Sequence, residues 1–180
     1  MSSDENIARI FGSPLAMVER AIDAHSVGAL ISLINQETML ETPNDFDADM
    51  HLKLPMNDIS RPQGGLVMPD ETHVNQLISF VRNWDQNSPM LIHCWAGISR
   101  STAGVYIALC ELNPGLGEET IALALRAASP TATPNERLVS LADDFMGRGG
   151  RMMDAIDVIG QGEMTFEGKL FSLPADLTHA

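Results

Sequence analysis

The chain reads as a single α/β domain: a central mixed, mostly parallel sheet of about four to five strands, flanked by helices on both sides. Three observations carry that expectation. Short apolar runs alternate with segments of helical period along the chain. One run, Gly28–Ile34, has no polar alternation and so belongs to a strand covered on both faces. The length of 180 residues, 44% of them hydrophobic, suffices for one core and needs no second domain. The domain is drawn over residues 1–160, with 161–180 as a tail of open packing.

Ile7-Ala8-Arg9-Ile10-Phe11 opens as a strand. Ser13-Pro14 then fits a helix start, with serine as cap and proline at the first helical position, and the helix runs to His25. After the strand Gly28–Ile34 comes an acidic loop, Thr38 to Asp49, expected to be mobile. Met50-His51-Leu52-Lys53-Leu54 alternates and reads as a third strand, leading into Pro55-Met56-Asn57-Asp58. Pro69-Asp70-Glu71-Thr72 resembles a helix start in which aspartate caps the first amides, and Val74, Leu77, Ile78, Val81 and Trp84 form that helix's apolar face. Ser88-Pro89 begins a short buried strand through Ile92, and Thr102 to Leu109 is helical again. Asn113-Pro114-Gly115 is a break, and Glu118 to Ala128 a further helix. Thr133-Pro134-Asn135-Glu136 reads as a capping box with proline at the first helical position, followed by Leu138, Leu141, Ala142 and Phe145 on one face. Met152, Met153, Ile156 and Ile159 suggest a last short helix; beyond it, Phe166, Leu170, Phe171 and Leu173 could pack on the core or on a second copy.

The chemistry concentrates in His93-Cys94-Trp95-Ala96-Gly97-Ile98-Ser99-Arg100-Ser101-Thr102, at a strand-to-helix turn. The first amides of a helix lack intrahelical partners, so a loop wrapped around that end points N–H groups and partial positive charge at one spot, an anion cradle. A cysteine facing the cradle is favoured as thiolate. Arg100 can lay its planar fork across two oxygens of a phosphate, and Gly97 lets the backbone curl between them. The cradle therefore spans Trp95, Ala96, Gly97, Ile98, Ser99 and Arg100.

His93-Cys94-x-x-Gly97-x-x-Arg100-Ser101 resembles the signature of the cysteine-dependent protein tyrosine phosphatase superfamily, and Gly97-Ile98-Ser99-Arg100-Ser101 looks most like its compact dual-specificity branch. The resemblance implies that Cys94 attacks phosphorus to give a phosphocysteine while Arg100 and the loop amides hold the phosphoryl group. It further implies that His93 supports the loop and favours the thiolate, and that Ser101 stabilises the departing sulfur. Pro134-Asn135 resembles a downstream pair of the same branch, but Glu136-Arg137-Leu138 stands where Gly-Phe-Leu is usual, so Asn135 reads first as a helix-start residue. Resemblance covers roughly residues 28 to 146.

An alkoxide or phenoxide leaves poorly unless a general acid protonates it. Asp58, 36 residues upstream of Cys94 and on a loop after a strand, has the separation and setting of the family's acid; Asp70 is the competitor, expected instead to cap its helix. A net charge of −13 argues against nucleic acid and acidic membrane as partners. The variable loop positions Trp95, Ala96 and Ile98 are apolar, favouring a phosphomonoester on a protein or on a small apolar-edged molecule; Trp95 either touches substrate or packs beneath the loop. Phosphotyrosine against phosphoserine or phosphothreonine stays open, as does oligomeric state. A phospho-binding module without turnover and a sulfur-transfer protein are the alternatives. Cys110 fits a small core position, the other four histidines fit surface or packing positions, and no cofactor or metal is expected. The polar, acidic first residues and the lack of a long apolar run lead to a cytoplasmic expectation.

Overall fold

A computed structural model describes residues 8–178, so Ile7 at one end and His179 and Ala180 at the other lie outside it. Five strands form one sheet in the order β3-β2-β4-β1-β5, namely β1 (Arg9–Pro14), β2 (Ala29–Ile34), β3 (His51–Pro55), β4 (Met90–Cys94) and β5 (Phe171–Pro174). The first four are parallel, and β5 runs antiparallel on the β1 edge. All six residues of β2 are buried, because both faces are covered. Ala29, Ile31 and Leu33 enter the larger core together with Met90 and Ile92, whereas Leu30 and Leu91 join Phe11 in a smaller cluster on the opposite face.

The two faces are covered unequally. One helix, α1 (Val18–His25), supplies Val18 and Ala21 to the smaller cluster. The other face carries α2 (Glu71–Asn83), α3 (Arg100–Leu112), α4 (Glu118–Ala128), α5 (Glu136–Met146) and α6 (Arg151–Ile159). Every residue of α3 from Arg100 to Cys110 is buried, since α3 lies between the sheet and α2, α4 and α5. A helix enclosed on all sides needs no polar face, which explains the unbroken run Ala103–Cys110. Strand β4 sits between β2 and β1, and its carboxyl end feeds α3, the position at which open α/β sheets bind ligands.

Several sequence expectations are corrected. Ser13-Pro14 does not start a helix: both residues extend β1, Pro14 in register with Cys94, and α1 begins at Val18 after a 3-10 turn over Leu15–Met17. Proline is tolerated there because β5 pairs with β1 only along Arg9–Gly12, so no ladder awaits its missing N–H on that side. The capping box at Thr133 is displaced as well. Asn135 is the cap of α5, its Oδ1 accepting from the Leu138 amide at 3.0 Å. Phe145 leaves the apolar face and is 44% exposed. In β3 the pattern is also offset, with His51 and Leu54 buried and Leu52 only half-buried. The apolar face of α2 is as expected, and Asp70 caps it with a reciprocal bond from its own amide to His73. Residues 171–174 of the tail become β5, and Phe171, Leu173, Ala175 and Leu177 are buried against the main core. Among the described residues no helix is long and apolar enough to cross a membrane.

Candidate active site

The loop from Cys94 to Ser99 is shaped by its carbonyls. That of Cys94 lies 3.3 Å from His93 Nδ1, that of Trp95 accepts from Leu15 N at 3.1 Å, and that of Ala96 from Gly168 N at 2.8 Å. Ile98 accepts from Thr133 N at 2.9 Å and Ser99 from Asn135 N at 3.2 Å. A trans peptide sets its C=O and the following N–H on opposite sides, and the described chain has no cis bond. Carbonyls drawn outward by these five donors therefore aim the amides of Trp95, Ala96, Gly97, Ser99 and Arg100 the other way. The Gly97 amide shows the result directly, lying 3.3 Å from Cys94 Sγ and donating to it. Gly97 adopts φ +70°, and a side chain there would collide with the backbone nitrogen of Pro14.

Cys94 is 2% exposed, and its Sγ is also 3.2 Å from Ser101 Oγ on the first turn of α3. Arg100 is buried, with Nη1 donating to the Met56 carbonyl at 2.7 Å and Nε without a partner among the described residues. A guanidinium steered by a carbonyl from one side, with a buried donor unspent, suits an anion that supplies the missing acceptor. Asp58 is exposed, and its Oδ1 accepts from Ser99 Oγ at 2.7 Å and from Asn135 Nδ2 at 2.9 Å. Both donors take the same oxygen, which leaves Oδ2 pointing to other partners. Asp70, by contrast, is spent as the cap of α2. Trp95 does not pack beneath the loop; it is 56% exposed.

His93 is fully buried, its Nε2 2.6 Å from Ser32 Oγ, which is in turn 2.8 Å from His51 Nε2. Burial is the main reason that His93 is pushed down to about 4, with the Cys94 carbonyl opposing and His51 and Arg100 reinforcing. His51 is likewise held at about 4, chiefly by burial and then by Lys53, against Glu41. Cys110 is wholly buried in α3, and burial pushes its thiol up to about 12, as befits a core residue.

Comparison with known proteins agrees with this geometry. A model of the family described as protein-tyrosine phosphatase matches residues 63–120. Dual specificity protein phosphatase 15 of Rattus norvegicus is 34% identical over 79 residues, which is 43% of this chain and 33% of the relative. The Homo sapiens protein of the same name is 30% identical over 107 residues, 58% of this chain and 34% of the relative. The matched stretch thus spans about a third of those relatives' length. In fold, the crystal structure of DUSP15 superposes with a TM-score of 0.57 at 20% identity, covering 84% of this chain and 92% of that one. A human tyrosine phosphatase-like serine/threonine/tyrosine-interacting protein gives 0.60 at 17% identity, over 77% and 91%. Over residues 63–120 the chain is similar to the protein-tyrosine phosphatase family, and the curated relatives it matches are dual specificity phosphatases.

Sequence reasoning missed Gly168, Ser32 and the second bond of Asn135. A serine inside the otherwise apolar Ala29–Ile34 was a usable signal, since a buried hydroxyl requires a partner. Gly168 had none, because its contact with Ala96 depends on the path of the tail.

Proposed function

We propose that the protein is a phosphatase that hydrolyses phosphomonoesters through a phosphocysteine intermediate. The observation that carries the reading is the set of outward-bonded loop carbonyls, which turns the following amides inward, with Gly97 N donating to the Cys94 sulfur. In the first step Cys94 thiolate forms a bond to phosphorus as the ester P–O bond breaks, and Asp58, protonated on Oδ2, gives its proton to the departing oxygen. The inward amides and the Arg100 fork hold the three equatorial oxygens. In the second step Asp58 removes a proton from water, the water oxygen bonds to phosphorus, and the S–P bond breaks. Ser101 Oγ then donates to the sulfur as it regains negative charge. No metal enters this sequence.

The substrate is a phosphorylated protein or a small phosphomonoester, with phosphotyrosine the first class to test and phosphoserine and phosphothreonine beside it. Exposed Trp95 and the absence of lysine between Cys94 and Arg100 support an apolar-edged substrate, and the charge of −13 disfavours nucleic acid. Hydrolysis of an aryl phosphate in the presence of chelator is the test. Cys94→Ser is expected to abolish turnover while phosphate binding persists; activity retained by that variant, or dependent on added metal, overturns the reading. A module that binds phosphate without turning it over would show binding alone in the unaltered protein.

A further inference from the structure

With His93 neutral, the hydrogen bonds beneath the loop run in one direction. His93 Nδ1 meets the Cys94 carbonyl oxygen at 3.3 Å, and since that oxygen only accepts, Nδ1 carries a proton. Burial keeps the ring neutral, so Nε2 holds a lone pair. Ser32 Oγ, 2.6 Å away, must then donate to it. A serine has one proton to give. With that proton committed, the 2.8 Å contact between Ser32 Oγ and His51 Nε2 requires the hydrogen to sit on His51. His51 is itself buried and neutral, so its Nδ1 accepts, and Thr42 Oγ1 donates across 2.9 Å.

We propose that Thr42, His51 and Ser32 are positioning residues: their one-way chain of hydrogen bonds fixes the tautomer in which His93 grips the Cys94 carbonyl, and so holds the peptide of the nucleophile in place. The row follows from the register of the sheet. Ser32 on β2 is the register partner of His93 on β4, and His51 lies on β3 opposite Leu30, two residues from Ser32 on the same face. On the far side of His93, Ser13 of β1 is its other register partner, equally buried, yet its Oγ has no hydrogen-bond partner among the described residues. Two serines thus flank one histidine, and only one belongs to the chain. The charged groups that face the two rings are Lys53 and Glu41 beside His51, and Arg100 beside His93.

The opposite polarity is a definite alternative. Were His93 protonated, it would donate from both nitrogens, Ser32 would donate to His51 Nε2, and His51 would carry its proton on Nδ1. The tautomer of His51 therefore reports the direction of the whole chain. The kinetic consequence rests on the phosphatase reading; the tautomers do not.

Nitrogen-15 NMR of the histidine rings in the full chain at pH 7 tests the polarity. The expected result is two neutral rings, His93 protonated at Nδ1 and His51 at Nε2. A proton on His51 Nδ1, or a charged His93, overturns the proposal. With an aryl phosphate, Ser32→Ala and His51→Leu are each expected to lower kcat about tenfold, the worth of one hydrogen bond felt in the transition state, with KM unchanged. His51→Gln, which keeps an N–H within reach of Ser32, should recover most of the loss, and Ser13→Ala should match the unaltered protein. Unaltered kcat in Ser32→Ala, or an equal loss in Ser13→Ala, contradicts the proposal. Should the unaltered protein hydrolyse no phosphomonoester, the phosphatase reading fails while the ring tautomers still decide the chain; and should a variant not fold, the spectrum of the unaltered protein decides it.

Discussion

Asp58 is held by one oxygen and available at the other, and that asymmetry sets what substitution there should do. Asp58→Asn keeps the size and the contacts with Ser99 and Asn135 within reach but cannot deliver a proton. Turnover of a poor leaving group should fall about a hundredfold, and of a good leaving group far less, in a steady-state series of aryl and alkyl phosphates. Asn135 carries two duties, capping α5 through Oδ1 and tethering Asp58 through Nδ2. Asn135→Asp preserves the cap acceptor and sets a second carboxylate against Asp58, so the thermal midpoint should hold while kcat drops. Asn135→Ala should also lose about 1 kcal/mol of stability with the cap. Asp58 was legible as a candidate through its separation from Cys94, which matches the family's pattern although all of α2 and most of β4 lie between them. Asn135 was legible only as a helix start: its bond to Asp58 joins residues 77 positions apart, and no pattern in the chain encodes it.

At the scale of elements, the loop Cys94–Ser99 is held from outside by neighbours rather than by its own helix. Leu15, Thr133, Asn135 and Gly168 each donate a backbone N–H to it, from the turn before α1, the approach to α5, and the tail. Gly168 approaches so closely that an added Cβ would stand 2.7 Å from the Gly97 carbonyl oxygen. Gly168→Ala is therefore expected to shift the loop or release the tail, lowering kcat several-fold with only a small change in thermal midpoint; equal kcat in the two proteins would mean the tail does not support the loop. Most helices could be read from the sequence, α4 to its exact bounds, because long periodic segments with caps carry their own signal. The start of α1 could not, since Ser-Pro is chemically suited both to a helix start and to the end of a strand with one open side. Edge strand β5 has four residues, too few for a period, and its pairing with β1 is made across the whole length of the domain.

For the whole molecule, the buried histidine row couples folding to pH. Both rings stay neutral in the fold down to about 4, whereas an unfolded histidine titrates near 6.5. Above 6.5 neither state binds a proton at these sites and the stability is complete. Between 6.5 and 4 the unfolded chain takes up protons that the folded chain refuses, so stability falls with pH, by on the order of 3 kcal/mol for each ring, and levels off for these groups below 4. Urea unfolding midpoints across that range should show the decline, and His51→Gln should reduce its slope; a flat profile would mean that the two rings accept protons in the fold. The α/β class, the helices on both faces and the position of the loop at the end of β4 were all legible from the run of apolar segments. The unequal covering of the two faces was not, because it depends on which way each crossover turns. The central claim is that the Cys94 sulfur becomes bonded to phosphorus during turnover. Rapid quenching of the protein with an aryl phosphate, followed by mass spectrometry of its peptides, tests this most directly: the account predicts one phosphoryl group per chain, carried on Cys94 and absent from Cys94→Ser, whereas turnover with no phosphoenzyme, or with the phosphoryl group on another residue, would contradict it.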